Sequence, residues 1–169
     1  MTAYAALLRA VNLGPVNQMP KQVLIDTAAA AGFARIRTHA ASGNLLFDAD
    51  TCEAEVKAAL EARFAAHAGR PVPVIVRTAA ELAAIRDANP FADAPGNRVV
   101  AILLDARPHA DALAHARYTE GEQMALGERE IYVRYTDAGM GRSKLVIPAA
   151  KVGTARNMNT IGKLATLLA

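Results

Sequence analysis

A chain of 169 residues, 53% of them apolar, can bury a substantial core, as one domain or as two small, closely packed lobes. The formal charge of +3 and isoelectric point near 9.2 are only weakly basic. Arginines alternate with acids and form no dense stripe, so a dedicated non-specific DNA binder is disfavoured, while an anionic partner is permitted. Cys52 is the single cysteine, which excludes a disulfide framework and a cysteine-based zinc site. There is no charge-free apolar run of about 18 residues, as a membrane-spanning helix needs. The opening "MTAYAALLRAVNLG" meets Arg9 too early to act as a secretory signal. A cytoplasmic protein is expected.

In chain order, "TAYAALLRAV" reads as a buried strand, followed by the loop "NLGPVNQM". Pro20 suits a first helical position, and Val23, Leu24, Thr27, Ala28 and Ala31 form one stripe that Gly32 terminates. "FARIRTHA", the turn "ASGN" and "LLFDA" predict a hairpin. Asp50 and Glu53 have capping-box spacing before a helix bearing Val56, Leu60 and Phe64, with Cys52 on the same spacing as a core or boundary residue. "PVPVIVR" is the next strand. The order β-α-β-β-α-β predicts a ferredoxin-like lobe over residues 1–77.

A second, smaller related α+β lobe with C-terminal helices is expected over 78–169, forming one compact unit with the first. Thr78 and Glu81 make another capping box, for a helix that ends before "NPF". "NRVVAILL" is a strand, "PHADALAHA" a short helix, and "EQMAL", "GER" and "EIYVRY" a second hairpin. Helical segments complete the chain after "GMGRSKLVI". The second half repeats the first in element order, without a residue-level repeat.

Four stretches, "LLRAVNLGPVNQMP", "RTHAASGNLLF", "NPF" and "GRSKLVI…TARNMNTIGKLATLL", together resemble the bacterial family catalogued as domain of unknown function 1697. They run in the family's order over nearly the whole chain. The resemblance implies a soluble α+β protein with no established activity. The family's first loop runs roughly Arg-Gly-Ile-Asn-Val-Gly-Gly-Lys-Asn-Lys. Arg9, Asn12, Gly14 and Asn17 match it, Ala10 and Pro15 replace glycines, and Val16 and Gln18 stand where lysines are usual. The closing Arg-Asn-Trp-Asn-Thr is matched by Arg156, Asn157, Asn159 and Thr160, with Met158 in place of the aromatic. The missing lysines weaken a phosphate role for the first loop, and the missing tryptophan removes a stacking surface for a base.

Candidate chemistry gathers at four places. Asn157 is a good N-cap ahead of the stripe Ile161, Leu164, Ala165 and Leu168; Arg156 and Asn159 beside it fit an anion at a helix start. In "GMGRSKL", Arg142, Ser143 and Lys144 could hold a phosphate, without P-loop spacing. "ASGN" reads as a hairpin turn in which Gly43 supplies a positive φ and Ser42 or Asn44 bonds local backbone. Arg9, at the strand end, needs an acid or an anion if buried. His39, His67, His109 and His115 lie on different elements, so no metal site is expected, nor any cofactor.

The sequence therefore predicts binding of a phosphate-bearing ligand, a nucleotide or nucleic acid backbone, in an inter-lobe cleft. The expected donors are Arg9, Asn12, Asn17, Ser42, Asn44, Ser143, Lys144, Arg156, Asn157 and Asn159. The competing expectations are an enzyme acting on a small phosphorylated or carboxylated metabolite and a non-catalytic interaction scaffold. The catalytic residues and the oligomeric state are not legible.

Overall fold

The computed structural model describes residues 1–12 and 18–169, so Asn17 and most of the first loop lie outside it. The protein is mixed α+β, with two four-stranded antiparallel sheets and four α-helices among the described residues. The chain divides into two compact units: Met1–Glu81 with Leu167–Ala169, and Leu82–Thr166. No helix among the described residues is long and apolar enough to cross a membrane.

The N-terminal unit runs β1 (Thr2–Leu8), α1 (Lys21–Ala30), β2 (Ala34–His39), β3 (Asn44–Ala49), α2 (Glu53–Ala68) and β4 (Val74–Thr78). Its sheet order is β2-β3-β1-β4. Alternate residues Tyr4, Ala6 and Leu8 of β1 share one core with Phe47 of β3 and Val74 and Val76 of β4. Leu24 and Ala28 of α1 and Val56, Leu60 and Phe64 of α2 belong to the same core. The intervening Ala5, Leu7, Leu46 and Ile75 are buried too, which is why these strands read as continuous apolar runs.

Gly32 ends α1 as its position predicts. At φ +84° it donates its N–H to Ala29 O at 3.0 Å, while Phe33 N–H reaches Ala28 O at 3.1 Å. This pair of bonds satisfies the last carbonyls of the helix. Pro20 is the residue before the first turn of α1, one place earlier than predicted.

The Asp50–Glu53 capping box does not form. Cys52, which is exposed, occupies the N-cap position without a side-chain bond. Asp50 instead pairs with the amino terminus, Met1 N to Oδ1 at 3.1 Å. The box at the next helix does form: Thr78 N–H donates to Glu81 Oε2 at 2.8 Å, and Glu81 N–H to Thr78 Oγ1 at 3.2 Å. It opens α3 (Ala79–Asp87).

The second unit continues with β5 (Val99–Leu103), β6 (Gln123–Leu126), β7 (Glu130–Arg134), β8 (Thr154–Asn157) and α4 (Met158–Leu168). Its sheet order, β6-β7-β5-β8, repeats that of the N-terminal unit strand for strand. The coverings differ. Between β5 and β6 the predicted helix is only a 3-10 turn, Ala112–His115, and between β7 and β8 stand 3-10 turns at Met140–Arg142 and Pro148–Val152. Where the sequence predicts only a helical tail, the four residues of β8 pair with β5, Arg156 opposite Ala101 and Asn157 opposite Val100. Val100, Ile102, Leu104, Ile131, Val133 and Ile147 form the core of this sheet.

Candidate functional site

In the N-terminal unit the first loop and the "ASGN" turn meet at the end of β1. Asn12 Nδ2 donates to Ala41 O at 2.7 Å and to Met19 O at 3.3 Å, and its Oδ1 accepts Met19 N–H at 2.7 Å. Leu8 N–H donates to Gly43 O at 2.9 Å. Asn44 is fully buried, its Nδ2 donating to His39 O at 2.8 Å and Ser42 Oγ at 3.1 Å. These amides fasten loop to loop, using most of their hydrogen-bonding capacity on the chain itself. Arg9 is half-buried, with its N–H on Pro73 O at 3.0 Å.

In the second unit, Asn157 Oδ1 accepts Thr160 N–H at 2.9 Å, so it caps α4. Met158 N–H donates to Gly96 O at 3.1 Å. Two donors of that helix start are therefore occupied by the chain. Asn159 is exposed and lies against Gly96: a Cβ built there would meet Asn159 Oδ1 at 2.1 Å. Arg156 is 9% exposed and donates from Nη1 to Ala155 O at 2.9 Å. Burial lowers its pKa to about 10, which still leaves it protonated at neutral pH.

Ser143 is also engaged. Its hydroxyl donates to Glu122 Oε1 at 2.6 Å and accepts Leu145 N–H at 3.2 Å. That bond, followed by the Glu120 backbone N–H, holds the Glu122 carboxyl below its usual range. Lys144 is exposed.

What the sequence did not single out is a polar cavity of about 340 Å³ within this unit. Arg98, before β5, and Arg134, at the end of β7, line it with Gln123, Tyr135 and Thr136. Arg98 Nη1 donates to Thr136 O at 2.9 Å and to Asp137 Oδ1 at 3.0 Å. Arg134 Nη1 meets Asp93 Oδ2 at 3.3 Å. The arginines are 31% and 37% exposed, with Asp137 fully exposed and Asp93 75% exposed, so both pairs stand in solvent where such bridges contribute about 0–1 kcal/mol. Burial, and then the charge of Glu122, raise the Tyr135 pKa, so its phenol stays a donor.

Chain neighbours of the lining residues touch both motifs of this unit. Ala94 and Pro95 line the cavity, and the adjacent Gly96 touches the start of α4. Gly121 lines it too, next in the chain to Glu122, the partner of Ser143, and Gly139 N–H reaches Thr136 O at 2.9 Å. Arg98 and Arg134 stand alone in sequence, each at a strand end, and only pairing of β5 with β7 gives them a common cavity. Among the described residues, no group of three or more His, Cys, Asp or Glu side chains could hold a metal ion.

A family model described as a protein of unknown function, DUF1697, matches residues 1–132, so the "RNMNT" motif lies beyond the matched part. Among solved structures, conserved bacterial protein SP0830 from Streptococcus pneumoniae is similar with a TM-score of 0.81 and 19% identity, over 99% of both chains. At that identity the likeness speaks for the fold alone. Comparison with curated proteins gives no match.

Proposed function

We propose a function for this chain from two premises: it belongs to the DUF1697 family, whose function is unknown, and its second unit carries an arginine-lined polar cavity. The function is binding of a small phosphate-bearing ligand through Arg98 and Arg134. The observation that carries it is that these two guanidiniums line one cavity while their carboxylate partners, Asp137 and Asp93, are exposed. Guanidinium holds phosphate through charge-assisted, bidentate bonds that a weak surface bridge does not match, so the ligand can displace Asp93 and Asp137 at little cost. A cavity of about 340 Å³ lies at the low end for small-molecule sites, which favours a phosphorylated metabolite or nucleotide over a nucleic acid backbone. Tyr135 and Gln123 supply further hydrogen bonds to orient it. The element order and the strand order β2-β3-β1-β4 support a ferredoxin-like description of the N-terminal unit.

A scaffold role has its own support for the amides: Asn12, Asn44 and Asn157 spend their side chains on backbone groups. They belong to the frame around the site and not to the ligand shell.

Calorimetric titration with inorganic phosphate and a simple phosphomonoester, followed by 31P NMR for turnover, tests the proposal. Saturable binding is expected, and Arg98→Gln or Arg134→Gln should weaken it about tenfold or more, since a hydrogen bond to a charged group contributes about 1.5–3 kcal/mol. Unchanged affinity in the double variant sinks the proposal. Release of inorganic phosphate from the ester would move the assignment to an enzyme. Tight oligonucleotide binding with a slope of about 0.9 log unit per contacted phosphate would move it to nucleic acid.

A further inference from the structure

The two units share a strand order but not a covering. Between the strands of the N-terminal sheet run a ten-residue and a sixteen-residue helix, and Leu24, Val56, Leu60 and Phe64 fill the space beneath them. The corresponding connections of the second unit contribute 3-10 turns of four and five residues, Ala112–His115 and Pro148–Val152. Their side chains against the core are small, mainly Ala116, Ala149 and Ala150 beside Leu113. Short turns with small residues leave space. A cavity of about 540 Å³ opens between them, larger than the arginine cavity and distinct from it in every lining residue.

Its wall is apolar: Leu104, Ala112, Ala149 and Val152, with Pro108 and Pro148 fixing the backbone on two sides. Val152 is 66% exposed, an apolar side chain left at the mouth. The polar groups are few. Asp105 and Asp111 line the cavity with one guanidinium, Arg107, which pairs with Glu128. Arg129 comes near as well, through Nη1 to Asp105 O at 3.2 Å. His115 Nε2 is 3.5 Å from Asp111 Oδ2, and His109 completes the rim. Three carboxylates, Asp105, Asp111 and Glu128, stand here with two guanidiniums, Arg107 and Arg129.

We propose that this cavity binds a small organic cation, an amine on an apolar aromatic or aliphatic body, with the body between the alanine and proline walls and the ammonium toward Asp111. A mostly apolar, partly rigid cavity with a few convergent polar groups is the usual form of a small-molecule site, and its size falls within the range of about 300–1,000 Å³. The excess of carboxylate selects the sign of the charge. The site rests on none of the residues of the phosphate proposal, so either can fail alone.

The test is a titration of the 15N-labelled chain with 2-naphthylmethylammonium, and with 2-naphthoate as the same body carrying the opposite charge, followed by 1H–15N NMR. Saturable shifts are expected on amides of 104–115 and 148–152 with the cation, and binding of the anion should be weaker by about threefold or more. Asp111→Asn should lower the cation's affinity about threefold with the rest of the spectrum unchanged, and Ala149→Phe should fill the cavity and abolish binding. Should Ala149→Phe fail to fold, Asp111→Asn and the charge pair still decide. Equal or tighter binding of naphthoate overturns the proposal, as do shifts confined to other residues or no saturation at about 1 mM ligand and above.

Discussion

Arg77 and Arg156 occupy the same register in the two sheets. Each lies on the last strand of its unit opposite an alanine of the central strand, Ala5 for Arg77 and Ala101 for Arg156. Each donates from Nη1 to the carbonyl of the residue before it at 2.9 Å, Val76 O and Ala155 O. Each is followed at once by the residue that caps the next helix, Thr78 or Asn157. The alanines also match in context, Ala5-Ala6-Leu7-Leu8 and Ala101-Ile102-Leu103-Leu104. A residue-level repeat is therefore present where the sequence alone suggests none, and it marks the edge-strand end as a part both sheets need.

Arg77 leads the largest fully buried side chains, so Arg77→Ala is expected to destabilise by about 2–5 kcal/mol through the cavity it leaves. Arg77→Met, which keeps most of the volume and removes the charge, should cost less. Urea denaturation of both variants checks the order; equal losses would show that the guanidinium matters more than the space.

Arg156 gives an alkaline signature. Burial depresses its pKa from the usual guanidinium range to about 10, so the unfolded chain holds this proton more tightly than the folded one. The cost of burying the charge is fully present well below pH 10 and is relieved as pH rises through about 10 toward the usual guanidinium range. Between about pH 9 and 11, wild type should gain roughly 1 kcal/mol relative to Arg156→Met, because a tenfold difference in proton affinity between the two states is worth about 1.4 kcal/mol. Parallel denaturation curves across that window, with a constant difference, would contradict this.

Glycine positions separate backbone strain from packing. Gly32, at φ +84°, has nothing within 4 Å of a built Cβ, so Gly32→Ala should cost only the left-handed strain, about 1–2 kcal/mol. Gly43, at φ +83°, would place a Cβ 2.6 Å from Val11 Cγ2 and 3.2 Å from Leu8 Cβ. Gly43→Ala should add about 1–3 kcal/mol for overpacking. Ala10 adopts φ +55° where the resemblance expects glycine, so Ala10→Gly should be neutral or stabilising by about 1 kcal/mol. Chemical denaturation ranks the three; Gly43→Ala no worse than Gly32→Ala would remove the packing argument.

Much of this was legible locally. Gly32 ending α1, Thr78 and Glu81 closing a box, and Gly43 turning a hairpin are decided within a few residues, and their chemistry is visible in the chain. Asp50 and Glu53 have the same spacing as a box, yet the amino terminus brought beside Asp50 takes that carboxylate instead. β8 escaped because "TARN" has no apolar alternation and is a strand only through β5. The arginine cavity escaped for the same reason: strand pairing brings Arg98 near Arg134, across 35 intervening residues that carry no sign of it.

Glu122 gives a signature at the acid end. Its carboxyl sits below the usual 4.5 because Ser143 and the backbone donate to the charged form. That contribution is present above pH 4.5 and is lost as pH falls through the lowered value. Amide exchange at Ser143 and Leu145 should accelerate on acidification in wild type, after correction for intrinsic rates. Ser143→Ala should show faster exchange already at neutral pH and a flatter response. A profile identical in both would mean that the bond does not hold the loop.

The two asparagines near the chain's end can be told apart by stability and binding together. Asn157 occupies a helix cap, so Asn157→Ala should cost about 1 kcal/mol. Asn159 is exposed and makes its close approach to Gly96, so Asn159→Ala should stay within about 0.5 kcal/mol. Gly96→Ala would force the Asn159 carboxamide aside, since its Oδ1 lies 2.1 Å from the added carbon, and the backbone N at 3.3 Å leaves little slack. Because Ala94 and Pro95 line the arginine cavity, that shift should weaken phosphate binding more than Asn157→Ala does. Urea curves and a phosphate titration on all three folded variants make the comparison. A fully folded Asn157→Ala that loses phosphate would put that asparagine against the ligand and not only on the helix.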